Sequence, residues 1–346
     1  MTDLGRKPVK RWGPEYHDKR DWPGYNEHLV KRGVYFLALD FVENWNQELA
    51  DMNTDKRGAP YQFPKSLIEL QALWHAKQMP CRMIEGLTRD LSEMGQLPNY
   101  NDYSTVSRRI NDLDYSLMPP EGENLVIFSD GTGLQAVNGG EYLREKYGKK
   151  NRVWIQIVLL GDSEHKEPIS YEINLLPSSE PDSTQKQVEK LIQEGIKIKS
   201  VGGDGALDKK SLWDFLDLNN IKPVIKPDEN ALTDTDCLPR NQAVLERNNI
   251  GYKPWAKKHG YGHRWTATEG IFSAMKRIFG EQIKATSEKG MRKEAACKIW
   301  AYQKLKRAGK EKTPEKHHKP LPIYATQHFK NGNLRDMPGN RKGISL

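Results

Sequence analysis

Three carboxylates, far apart in sequence, sit where they could share one chemical task. Asp130 closes the short apolar run of residues 124–129 (NLVIFS) and is followed by Gly131; Asp204 closes residues 199–203 (KSVGG) and is followed by Gly205. An Asp-Gly pair after a strand is commonly just a turn, because Asp bonds its own backbone and Gly supplies positive φ. Two of them say more, since strand ends of an α/β sheet are where functional groups collect. If the two strands are neighbours, the carboxylates stand about 5 Å apart. Charges that close repel each other and invite a divalent cation, and hard cations such as Mg²⁺ or Mn²⁺ take oxygen ligands. Glu269 is the candidate third member. At about 100° per residue, Glu269, Ser273 and Lys276 fall on one side of a helix whose apolar stripe is Ile271, Phe272, Met275, Ile278 and Phe279. Cys81, Cys237 and Cys297 lie far apart with no CxxC pairing, which removes a disulfide framework and the usual zinc spacings. Asp162, Asp182 and Asp208 are read as structural carboxylates.

The elements that must position these residues follow from pattern. Residues 124–129, 153–160, 169–176, 199–203 and 222–226 read as strands. A polar helix over about 183–195 and a helix capped by Asp208, carrying Leu212, Trp213, Phe215 and Leu216, lie between them. The order β-β-β-α-β-α-β predicts an α/β fold, a mixed sheet with flanking helices. Residues 228–262 lack periodicity and read as an irregular insertion. A last helix begins after Arg264, capped by Thr266 or Thr268, and stops at Gly280. Ahead of the sheet, Pro64 and Pro80 open two helices and Ser104 caps a third whose outer face carries Arg108 and Arg109. This all-α region resembles a helix-turn-helix.

The chain has 346 residues, 36% of them hydrophobic, enough for one large or two modest domains. Residues 1–63 form an N-terminal basic and aromatic segment containing Arg20. Residues 64–118 form the helical region, 119–308 the sheet domain with its insertion, and 309–346 a basic tail expected to be disordered. The most apolar stretches, 34–42 and 153–160, are less than half the roughly 20 residues of a membrane span. No apolar core follows the basic N-terminus, so a cytoplasmic protein is expected. Residues 281–346 hold 16 Lys+Arg against 6 Asp+Glu, a balance of +10; the other 280 residues, with 38 against 40, sum to −2. That asymmetry fits either a polyanion partner or a solvated basic tail.

The quoted residues together resemble the DDE transposases of insertion sequences. They are the strand with Asp130-Gly-Thr-Gly, the turn Gly203-Asp204-Gly205-Ala206-Leu207-Asp208, and Tyr261-x2-Arg264 followed by Glu269-x6-Lys276. With Trp22-x2-Tyr25-Asn26-x2-Leu29-Val30-x-Arg32-Gly33 and residues 103–109 (YSTVSRR), the likeness is closest to the insertion sequence five group. It covers roughly residues 20–308. The resemblance implies an RNase H-like sheet in which the first and fourth strands are adjacent. It also implies two Mg²⁺ or Mn²⁺ ions, with Asp130 bridging them and Asp204 and Glu269 each holding one. Lys276, Arg264 and Tyr261 would contact DNA near the scissile bond. Arg108, Arg109 and Arg20 would serve recognition of the element ends. The implied partners are double-stranded transposon-end and target DNA and a second copy of the chain, with the protein associated with a prokaryotic nucleoid. An RNase H-like nuclease or resolvase would use the same carboxylates without strand transfer, and terminal inverted repeats around the gene would discriminate. A non-catalytic DNA-binding derivative would fail a cleavage assay with either ion.

Overall fold

The computed structural model describes residues 21–120, 124–137, 153–228 and 230–310. Arg20 and residues 311–346 of the basic tail lie outside the described residues. Among the described residues six strands form one sheet: β1 (Leu125–Ala136), β2 (Val153–Asp162), β3 (Pro168–Asn174), β4 (Ile198–Gly203), β5 (Lys222–Ile225) and the short β6 (Gln282–Ile283). The order is β3-β2-β1-β4-β5, with β6 paired to the far end of β1. β1, β2 and β3 run antiparallel, whereas β4, β5 and β6 join in parallel. This is the mixed, RNase H-like arrangement expected, with β1 and β4 side by side.

β1 is longer than the apolar run suggests. It does not turn at Asp130 but continues through Gly133 to Ala136, with Asp130 paired to Leu159 on β2. Pairing with the well-formed β2 outweighs the turn tendency of Asp-Gly.

Alternation along β1 divides the two sheet faces. Leu125 and Ile127, with Leu160 of β2, pack under α6 (Glu180–Gln193) and α7 (Lys210–Leu218) through Val188, Leu191, Leu212, Trp213 and Leu216. Ser179, rather than a residue near 183, caps α6, and Lys209 rather than Asp208 precedes α7. Asp208 is drawn away by Trp213 Nε1 at 3.0 Å and by two bonds from Arg240 at 2.7 and 2.8 Å. Arg240 belongs to α8 (Leu238–Ile250), which with α9 (Tyr252–Lys258) gives the 228–262 insertion regular structure. Their periodicity is masked in sequence because polar Asn241 and Arg247 are among the buried residues of α8, Arg247 reaching the carbonyls of Pro227 and Asp228.

The opposite face carries α10 (Arg264–Ala267), α11 (Glu269–Phe279) and the long α12 (Glu288–Ala308). Here one apolar core joins the sheet to the helical region. Leu134, Ile155, Ile157 and Leu159 of the sheet and Phe272, Met275 and Phe279 of α11 share it with α3 (Lys65–Ala76), α4 (Cys81–Glu93) and α5 (Tyr103–Asp112). α1 (Trp22–Tyr35) and α2 (Trp45–Asn53) complete the N-terminal part. Asp102, not Ser104, caps α5, accepting from the backbone N–H of Ser104 and Thr105. Both residues suit an N-cap, and the one that is extended just before the helix takes the position.

α12 lies between α1, α3, α5, α11 and β3. Its lysines and arginines, counted above as part of a basic segment, largely serve the fold. Buried Lys298 donates to the carbonyls of Gly280 and Gln282 at 3.3 and 2.5 Å, Lys293 donates to the Leu113 carbonyl, and Lys304 pairs with Glu69. Arg307 Nε and Lys310 Nζ grip Glu167 at 2.7 and 3.0 Å, which brings the first residues of the 309–346 segment into the fold. Burial pushes the Glu167 carboxyl up, but the bonds from Arg307 and Lys310 more than offset this and hold it below the usual range. Removing one partner of a buried pair is costly, so Arg307→Met is expected to lose about 3 kcal/mol at pH 7 in urea denaturation. A depressed carboxylate stabilises the fold above its ordinary pKa of 4.5 and loses that contribution as pH falls through the lowered value. The difference between Arg307→Met and wild type should therefore shrink as the pH is taken below that point; a difference independent of pH would refute the pairing.

Candidate active site

Parallel register places the two aspartates. Phe128 of β1 pairs with Gly202 of β4, so two residues further along each chain Asp130 and Asp204 emerge at the same level on adjacent strands. β4 ends at Gly203, and Asp204 caps a short 3-10 turn by accepting from Ala206 N–H at 3.0 Å. Asp130 is half-buried. One oxygen accepts from Gly131 N–H at 2.9 Å, and the other accepts from the Thr268 hydroxyl at 3.3 Å. Burial first pushes the Asp130 carboxyl above the ordinary aspartate range; the Gly131 bond opposes this, and the neighbouring Asp204 carboxylate adds to it. A carboxylate so placed is stabilised by any cation that enters.

Glu269 comes from the α10–α11 corner. On an uninterrupted helix Arg264 and Glu269, five residues apart, would point about 140° away from each other. The helix is interrupted at Thr268 (φ −128°, ψ −70°), and neither Thr266 nor Thr268 caps α11 by its side chain. Thr266 bonds the His263 carbonyl instead, and Thr268 bonds Asp130 and the Arg264 carbonyl. The break turns Arg264 back over the site, with Nη2 2.9 Å from Glu269 and Nη1 3.5 Å from Asp130. Burial by itself would lower the Arg264 pKa, but Tyr261, Asp130 and Glu269 more than offset this and keep the guanidinium charged. The corner lies flush on the sheet at Gly161, where a Cβ would stand 1.8 Å from the Ala267 carbonyl oxygen. Any side chain there would lift α10 and the residues it carries.

An open cleft of about 540 Å³ runs beside the carboxylates, lined by Asp130, Glu269, Ser273, Lys276, Arg277 and Glu281 among others. Lys276 sits in it as its helical phase with Glu269 predicted, and Arg277, exposed and bonded to Ser273, adds a second cation. The C-terminal end of α11 is fixed by the helical region, Lys77 donating to the Ile278 carbonyl at 2.8 Å and Gln78 to the Phe279 carbonyl at 3.0 Å. Transposase DDE domain models match residues 30–139 and 121–304, the second covering more than half of the chain. The chain belongs to the DDE transposase family. A search of curated proteins found no match. The matches are to the transposase DDE domain as such; the finer likeness to the insertion sequence five group rests on the sequence motifs.

The DDE transposase domain thus has Asp130, Asp204, Glu269, Lys276 and Arg264 gathered around one strand edge. Tyr261 stands nearby but buried, its ring 5.9 Å from the Arg264 guanidinium and its hydroxyl pushed up to about 12 by burial. Arg108 and Arg109 are on α5 in the helical region, Arg108 exposed and Arg109 stacked over Tyr61 at 4.3 Å. Sequence reasoning missed the Thr268 hydroxyl and the bridging by Arg264. Both depend on the helix break, and a Thr-rich stretch before Glu269 is the only trace of it in sequence.

The family uses divalent metal ions, and the donor set here suits them: three hard carboxylates, the central one disfavoured as an isolated charge. Among the described residues no three His, Cys, Asp or Glu side chains stand together at metal-binding spacing. The guanidinium of Arg264 occupies the position between Asp130 and Glu269. Among the described residues no helix is long and apolar enough to cross a membrane.

Proposed function

We propose that the protein binds the terminal inverted repeats of a mobile element and cleaves and joins DNA strands by in-line phosphoryl transfer, using two Mg²⁺ or Mn²⁺ ions held by Asp130, Asp204 and Glu269. The observation that supports this most strongly is the level placement of Asp130 and Asp204 on adjacent parallel strands, with Glu269 delivered to the same edge. When bound, such ions lower the pKa of the attacking water or 3′-hydroxyl and neutralise charge at the leaving oxygen. Asp130, between the other two, would help to hold both ions. Arg264 balances Asp130 and Glu269 in the metal-free protein, and its withdrawal frees both carboxylates and presents a guanidinium to the DNA backbone. Lys276 and Arg277 line the cleft where a phosphodiester would lie and hold it by charge. Tyr261 supports Arg264 from beneath. Joining two ends in one event calls for a second copy of the chain.

Terminal-repeat recognition falls to α3–α5. Arg108 is free to meet a phosphate, whereas Arg109 is committed to packing on Tyr61. Arg108→Gln is expected to weaken binding to a terminal-repeat duplex and to reduce the slope of log K against log salt by about 0.9. An unchanged slope in fluorescence anisotropy would argue against this placement. Arg20 would add to backbone affinity from the N-terminal segment. The whole reading is tested by incubating the protein with its own element ends and Mg²⁺ or Mn²⁺: nicked and joined products are expected, and cleavage without joining would favour a nuclease.

A further inference from the structure

α1 packs on α12, and what the two helices bring together at the end of α12 is positive charge. A Cβ at Gly309 would lie 2.8 Å from the His28 carbonyl oxygen and 3.4 Å from Nε of Arg32, so the bare glycine lets the α1 backbone and Arg32 close on the end of α12. Tyr302 and Lys306 stand one helical turn apart on the same face of α12, and the charge of Arg32 acts on both. Tyr302 is buried; Arg32 and Lys306 are half-buried. Nε of Arg32 is shielded from water and has no hydrogen-bond partner among the described residues.

Cations at the end of a helix ordinarily serve the helix dipole, as Arg307 and Lys310 do here while gripping Glu167. Lys306 differs. Among the described residues it makes no hydrogen bond or ion pair, and the carboxylate that acts on it, Glu167, is already committed to those two cations. Burial, then the charges of Arg32 and Lys310, push its ammonium down to about 8; Glu167 opposes this and Lys166 adds to it. A charge taken out of water without a partner is unfavourable. Here a guanidinium and an ammonium share that condition, with no anion committed to either. The place is also within reach of DNA held in the cleft: Glu281 lines the cleft, and α12 starts at Glu288 and runs 21 residues to this end, about 30 Å or roughly nine base pairs of duplex.

We propose that Arg32 and Lys306 form a binding site for a DNA backbone phosphate at the α1–α12 junction, separate from the carboxylate cleft and from α5; this rests on the DNA-binding function proposed for the chain. The guanidinium offers paired donors to two phosphate oxygens, and the ammonium a compact charge beside them. A phosphate entering there neutralises the two cations that the fold leaves facing each other.

Fluorescence anisotropy of the full chain on a terminal-repeat duplex, followed against salt, reads this site without cleavage. The double variant Arg32→Gln, Lys306→Met is expected to lower the slope of log K against log salt by about 0.9, the loss of one phosphate contact. Lys306→Met alone should move the slope in the same direction. Its thermal unfolding midpoint without DNA should equal or exceed that of wild type, because one of two facing like charges is gone, so a lowered slope is not the result of misfolding. If the double variant keeps the wild-type slope while Arg108→Gln lowers it, the inference is overturned. An unchanged slope with a midpoint that inorganic phosphate raises in wild type but not in the double variant would also overturn it, the pocket then taking free phosphate only. If wild type shows no salt-dependent binding to the duplex, the DNA-binding function fails first and takes this inference with it.

Discussion

Asp130→Asn is expected to reduce Mg²⁺- or Mn²⁺-dependent cleavage of terminal-repeat DNA by at least about 10³-fold, with binding to the same DNA largely retained. The size follows from losing a preorganised charge that acts where charge develops in the reaction, worth roughly 10²–10³ even for a single neutral donor. Asp130 is asked for more, because it stands between Asp204 and Glu269 and would be shared by both ions. Asn keeps the shape: its Oδ1 can accept from Gly131 N–H and its amide N–H can donate to the Thr268 hydroxyl, the two groups that fix the present side chain. It removes a half-buried charge that burial and Asp204 already disfavour, so the fold should not suffer. DNA binding is retained because the proposed contacts are cations, Arg108 on α5 and Lys276 and Arg277 in the cleft, none of which the substitution removes. Cleavage at the wild-type rate would remove Asp130 from the chemistry and the carboxylate site with it.

Trp300→Ala is expected to destabilise the protein by about 3–5 kcal/mol, the usual cost of deleting a large core aromatic ring. Trp300 is only 5% exposed and meets Tyr115 edge-on, with ring centroids 5.6 Å apart. Tyr115 in turn donates to the Ile110 carbonyl of α5, and its own carbonyl accepts from Tyr171 of β3. One indole therefore sits where α12, the exit of the helical region and the sheet converge. Because this core is shared, urea unfolding followed by both tryptophan fluorescence and circular dichroism should give one coincident transition, shifted as a whole in the variant. Two transitions, with only one displaced by Trp300→Ala, would mean that residues 64–118 fold as a separate unit.

The legibility of the site varied with the range of the interactions that make it. Asp130 and Asp204 could be picked out because each terminates an apolar run at a local turn signal, and Glu269 because its helix has a clean apolar stripe. Lys276 followed from the same helical phase. The N-cap of α5 was misplaced by two residues because Asp102 and Ser104 are chemically equivalent caps, and only the backbone conformation selects between them. α8 and α9 were hidden because polar Asn241 and Arg247 are buried and satisfied by hydrogen bonds, which breaks the apolar rhythm. α12 was obscured by its own cations. Lys298 and Lys293 look like solvent residues until distant carbonyls accept their hydrogen bonds.

By itself the sequence determined the five longer strands, the helices with a clean apolar stripe and which carboxylates follow an apolar run, because strand alternation, helical periodicity and turn chemistry act over a few residues. The +8 net charge and its concentration after residue 280 were also plain. What only the tertiary structure decided was the use made of these groups. Asp130 and Asp204 became neighbours through the parallel register of β1 and β4, and Arg264 reached Glu269 through a helix break. Lys306 came to face Arg32 because α1 packs on α12. Much of the C-terminal charge went inward to carbonyls and carboxylates. Each of these is a contact between residues remote in sequence, and its energy depends on distances that no local pattern encodes.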